Sequence, residues 1–92
     1  MPSLFSVSGY KIYFWSNESN EPIHVHISKG KPSINGTKIW LTKNGGCILA
    51  SNGSDIPTKE LNELMEFISA QFFLICEEWK KFFVTDIIHF YC

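Results

Sequence analysis

Ninety-two residues with a net charge of −1 make at most one domain, and a chain so nearly neutral is no general binder of nucleic acid or membrane surface. All eight basic residues are lysine, so the two-pronged guanidinium clamp that enzymes use on phosphate is not at hand. Apolar residues are 45% and charged ones 18%, which points to apolar surface beyond the needs of a small core, for a partner or a second copy.

Residues 1–53 carry five lysines against Glu18 and Glu21, a balance of +3, and residues 54–92 carry three lysines against seven acids, a balance of −4. The first half is mildly basic and the second acidic. Cys47, Cys76 and Cys92 are odd in number and form no CxxC pair, so they predict free thiols in a reducing compartment. Met1–Phe5 lacks the charged and apolar regions of a signal peptide. No apolar run reaches the ~18 residues of a membrane span. The expected location is cytoplasmic.

Ser3–Val7 and Tyr10–Trp15 flank the turn residues Ser8-Gly9, the pattern of a β-hairpin. A polar loop covers Ser16–Pro22. Ile23–Ser28 alternates strictly, with Ile23, Val25 and Ile27 on one face and His24, His26 and Ser28 on the other, which predicts a half-buried strand. Ser33–Leu41 reads as a strand interrupted at Asn35-Gly36, and Cys47–Ser51 as a fifth. Connections this short require mostly antiparallel pairing.

After the linker Asn52–Pro57, Thr58 is the expected N-cap of a helix. Leu61, Leu64, Met65, Ile68, Phe72, Ile75, Trp79, Phe82 and Phe83 then fall on one stripe about 100° wide. Unbroken, a helix over 58–83 is about 39 Å long, against about 32 Å for a compact domain of this size. It must break, with Ser69-Ala70-Gln71 the candidate place, or overhang. Phe67, Phe73 and Leu74 lie off the stripe, and an overhanging second apolar face suits a homodimer. Val84–Cys92 is strand-like in composition, or a disordered tail. The whole reads as one α+β domain over 1–92, with a sheet over 3–51 and a helix over 58–83.

The chemistry concentrates at His24 and His26. Residues i and i+2 of a strand project from one face about 6.5–7 Å apart. Two imidazoles so placed can serve as an acid–base pair or converge on a metal ion. Glu18 in the preceding loop offers a carboxylate, completing a set that suits Fe(II), Mn(II) or Zn(II). A structural role for the pair is the third alternative. Tyr13, Trp15 and Trp40, interleaved with Lys11 and Lys38, form either an aromatic platform for bases or ordinary packing under a helix. Cys76 reads as a small core residue.

The order Gly9-Tyr10-Lys11-Ile12-Tyr13-Phe14, Ser16-Asn17-Glu18, Pro22-Ile23-His24-Val25-His26-Ile27, Lys29-Gly30, Lys38-Ile39-Trp40-Leu41 and Glu78-Trp79-Lys80-Lys81-Phe82-Phe83 resembles a family of small bacterial proteins, the domain of unknown function 4160. The likeness spans roughly residues 2–83. It implies a bacterial cytosolic protein without an assigned activity, whose relatives often sit beside another short gene in a toxin–antitoxin-like arrangement. By the resemblance Asn17, Glu18, His24 and His26 are the positions of any shared site. The expectation is therefore a small interaction protein, homodimeric or bound to a small protein partner. The alternatives are a ribonuclease-like enzyme acting on RNA through His24 and His26 with Glu18 and Asn17, or a metal site on the same histidines. No cofactor is specified.

Overall fold

The structure, a computed structural model, describes residues 3–92; Met1 and Pro2, which the leader reading and the expected domain include, lie outside them. Five strands, β1 (Ser3–Val7), β2 (Tyr10–Tyr13), β3 (His24–Lys29), β4 (Thr37–Leu41) and β5 (Cys47–Ser51), are followed by α1 (Thr58–Ala70) and α2 (Phe72–Phe83). The strands lie side by side in chain order, each antiparallel to the next. The α+β class, an antiparallel sheet followed by helix, is as the patterning predicts. The β1–β2 turn is tight because Ser8 and Gly9 both take positive φ, +49° and +84°, the backbone of a type I′ hairpin.

Alternation places Ile12, Ile27, Val25 and Ile39 in register across the central strands. They pack with Ile23 and Leu41 against Leu61, Leu64, Ile68, Phe72, Ile75 and Trp79 of the helices. Each such side chain contributes roughly 1.5–3 kcal/mol on leaving water. Tyr10 joins this layer and its hydroxyl donates to Glu60 Oε2 at 2.7 Å.

The other face of the sheet departs from expectation. β3 is buried on both sides from His24 to Ser28, where the alternation predicts one wet face. Two connections fold back over it. The segment 30–36 covers Tyr13, whose hydroxyl donates to the Ser33 carbonyl at 2.7 Å and accepts from the Ser33 amide at 3.0 Å. Ser28 Oγ, 2.7 Å away, supplies a further bond. A Cβ at Gly36 would stand 2.5 Å from the Tyr13 hydroxyl, so only glycine lets the turn lie this close. Ser33–Gly36 is accordingly a turn, and β4 starts only at Thr37. The loop after β2 covers the histidines.

The helical stripe breaks where the length argument requires. Gln71 (φ −100°, ψ 17°) separates α1 from α2, and the molecule measures 34 × 26 × 19 Å. Thr58 opens α1 as its first residue, and Pro57 is the N-cap because its carbonyl accepts the Leu61 amide at 2.8 Å; proline has no side-chain acceptor, so the helix lacks a side-chain cap. Phe67, off the stripe, is partly buried and meets the Phe5 ring edge-on at 5.1 Å. An overhanging helix and a free Phe67 are therefore no longer arguments for a dimer; Phe73 and Leu74 remain exposed. Val84, at φ +50°, ends α2.

Residues 85–92 form no strand, yet they are fixed. His89 and Cys92 carbonyls accept the amides of Ile23 and Lys43 at 2.8 and 3.0 Å. Phe90 stacks on Phe72, and Tyr91 lies flat on Trp40 at 4.9 Å and 4°. No helix among the described residues is long and apolar enough to cross a membrane.

Candidate functional site

The start of β3 aims both imidazoles at the loop that follows β2. That loop turns at Trp15–Glu18, where the Glu18 amide donates to the Trp15 carbonyl at 3.3 Å. The turn sends the Glu18 side chain inward, and the Trp15 amide donates to its Oε1 at 2.7 Å. Its other oxygen, Oε2, lies 2.8 Å from His26 Nε2 and 3.0 Å from His24 Nε2. One carboxylate oxygen thus stands between two imidazoles. His24 is fully buried, His26 is 7% exposed and Glu18 9%.

The hydrogens can be placed from the partners. His24 Nδ1 is 2.8 Å from the Pro22 carbonyl; a carbonyl only accepts, so Nδ1 carries a hydrogen. In a neutral ring Nε2 is then a bare lone pair, facing a carboxylate oxygen. The approach lacks hydrogen-bond geometry, and Nε2 is buried without a partner. His26 Nε2 does hydrogen-bond to Glu18 Oε2, while its Nδ1 is buried and unpartnered. Unpaired buried polar atoms are expensive, and here two fall in one cluster.

The charges favour an ionised carboxyl beside a neutral ring. Burial alone would raise the Glu18 pKa, but the Trp15 amide, with the two imidazoles wherever their Nε2 atoms carry hydrogen, outweighs it and holds it below the ordinary value. Burial pushes His26 below the usual imidazole range, more than the nearby Glu18 carboxylate pulls it up. Lys38, which also opposes a charge on His26, is held by Glu21 at 2.6 Å and lies 4.2 Å over the Trp40 ring.

Aromatic rings wall the cluster. Tyr13 stacks on His26 at 5.6 Å. Trp40 and Trp79 each meet the His24 ring edge-on at 5.5 Å. Among the expected site residues, Glu18, His24 and His26 come together, and their ligand atoms lie within 4.8 Å of one another. Asn17 does not join them: it is exposed in the turn. Of the aromatic platform, Tyr13 is buried and only Trp15 and Trp40 keep partial exposure.

Sequence reasoning did not place Trp79 or Tyr91 at this site. Trp79 belongs to the helical stripe, which signals core, and it touches both Phe14 and His24. Nothing in the local pattern announces Tyr91. The Pro22 carbonyl carries a faint signal, since a proline before an alternating run fixes the backbone there.

The fold is a small α+β layer pair with a histidine–carboxylate centre between its sheet and two loops. A family model described as Domain of unknown function (DUF4160) matches residues 9–80, and the chain belongs to that family. No curated protein and no solved structure matches it.

Proposed function

We propose that this protein binds a divalent transition-metal ion through Glu18, His24 and His26. The observation that supports the reading is His24 Nε2, buried without a hydrogen-bond partner and 3.0 Å from Glu18 Oε2; in the neutral ring it presents a lone pair there. Two electron-rich atoms so close repel unless a cation joins them. A metal ion with bonds of about 2.1 Å needs ligand atoms roughly 3–3.5 Å apart, close to the spacing present. The second bond of His24, from Nδ1 to the Pro22 carbonyl, is the outer support that metal-bound histidines use. His26 would move its hydrogen to Nδ1, and its depressed pKa keeps it uncharged, as a ligand must be. Two imidazoles and one carboxylate suit Zn(II) well.

The rival occupant is a proton, which would make the cluster a buried ion pair and nothing more. Titration of chelator-treated protein with Zn(II) and Co(II), followed by calorimetry and the Co(II) visible spectrum, separates the two. The expected result is one ion per chain, with Glu18→Gln and His24→Ala each weakening binding by about 10–100-fold or more. A folded wild-type chain that takes up neither ion at micromolar concentration would overturn the reading. So would Glu18→Gln binding as well as wild type.

Acid–base attack on RNA has less support. A phosphodiester would have to reach both rings, of which His24 has no exposed surface and His26 only 7%. Self-association and toxin–antitoxin pairing would draw on scattered exposed apolar side chains such as Phe73, Leu74 and Phe82 of α2, and form no part of this reading.

A further inference from the structure

His24 is the one member of the centre with no exposed surface, and the tail after α2 grips its surroundings in two ways. The first is through the backbone. Pro22 and Ile23 share one peptide unit. Its oxygen accepts from His24 Nδ1 at 2.8 Å, and its N–H donates to the His89 carbonyl at 2.8 Å. The unit is trans and planar, so the two bonds leave it in opposite directions and a turn of the plane disturbs both. A hydrogen bond at the N–H also polarises the unit and makes its oxygen a better acceptor.

The second grip is through rings. Tyr91 lies flat on Trp40 at 4.9 Å, and Trp40 meets the His24 imidazole edge-on at 5.5 Å. The tail is itself well seated. Phe90 stacks on Phe72, and the Cys92 carbonyl accepts the Lys43 amide at 3.0 Å. The His89 side chain is exposed; it is the carbonyl of that residue that reaches Ile23.

We propose that residues 89–91 are a positioning strap for the metal centre. They fix the Pro22–Ile23 peptide and Trp40, so that His24 Nδ1 keeps its hydrogen and Nε2 faces Glu18. The proposal rests on the metal reading above. It makes tail seating and ion binding one coupled equilibrium: whatever factor the seated tail adds to ion affinity, a bound ion adds to tail seating. A group held behind a metal-bound histidine is worth about 10–100-fold in affinity. The strap acts one bond further out, so a factor of about ten is expected.

Zinc titration by calorimetry and hydrogen exchange of the Ile23 amide by NMR test it on the full chain. In the wild type, saturating Zn(II) should slow that exchange by about tenfold. Tyr91→Ala, at a residue already 59% exposed, should weaken Zn(II) binding by about tenfold and speed the exchange. Tyr91→Phe keeps the stack and His89→Ala keeps the carbonyl, so both should match the wild type. Wild-type zinc affinity in Tyr91→Ala, or an Ile23 amide that exchanges no faster there, would overturn the strap while leaving the metal reading intact. So would a wild-type amide indifferent to bound zinc, a result that needs no variant to fold. A loss of affinity in His89→Ala would overturn it too, by making the imidazole the working group. If the wild-type chain takes up no ion at all, the metal reading itself has failed and the strap falls with it.

Discussion

Glu18 serves three hydrogen-bonding or electrostatic partners with two oxygens, and its titration sets how the metal-free protein responds to acid. Its folded pKa lies below its ordinary value, so it stabilises the fold above that value, and the gain is lost as pH falls through the lower, folded one. His26 acts with the same sign. Its folded pKa is also depressed, so below about pH 6.5 the unfolded chain takes up a proton that the folded ring resists. Urea midpoints of the metal-free protein should hold steady from pH 8 to about 7 and fall from about 6.5 downward. Glu18→Gln should flatten the part of the decline below about pH 4.5. A midpoint that rises as the pH falls from 7 to 5 would contradict the His26 assignment. The residues of this cluster were partly legible beforehand. Period-two alternation gave His24 and His26 a common side, and chain proximity suggested Glu18. Asn17 entered only through the family likeness, and it is exposed in the turn. The burial of the rings was not legible, because it depends on two loops of mixed polarity folding over the sheet.

At the level of elements, the longest periodic signal was both right and misleading. Leu61, Leu64, Ile68, Phe72, Ile75 and Trp79 do share one buried face, which is what their spacing gives. The same stripe continues through Gln71 without a break in period, so only the length of the molecule betrayed the interruption. Strand ends were harder to read, since Phe14, Trp15 and Ile23 carry strand-like side chains but belong to loop. The end of α2 offers a separate test. Val84 is β-branched, 88% exposed and held at φ +50°, a backbone that L-residues reach only with strain of roughly 1–2 kcal/mol. Val84→Gly loses no packing and relieves that strain, partly offset by glycine's greater freedom when unfolded. The expected outcome is a gain of up to about 1 kcal/mol in unfolding free energy, seen as a higher urea midpoint at unchanged slope. A loss of similar size would mean that the valine makes contacts its exposure denies.

Over the whole molecule, the two sides of the sheet are closed by different means. One is covered by helices and held by apolar packing, and the other by loops and held by polar bonds to Tyr13 and Glu18. The tail links them, with Phe90 on the helix side and Tyr91 over Trp40. Residues 81–92 lie past the family match, which ends at 80. Tyr91 and His89 thus lie outside the matched residues, and the motif read within them does not include these side chains.

The pair of indoles at His24 has an optical corollary. With Trp40 and Trp79 each 5.5 Å from that ring, a positive charge arriving there sits within the field of two of the three tryptophans. Colourless, spectroscopically silent Zn(II) should therefore alter the intrinsic emission of the wild-type protein, and that of Glu18→Gln only at zinc concentrations about 10–100-fold higher or more. A spectrum indifferent to zinc in a chain that calorimetry shows to be loaded would place the ion elsewhere. The protein would otherwise carry its own lamp for following what its core holds.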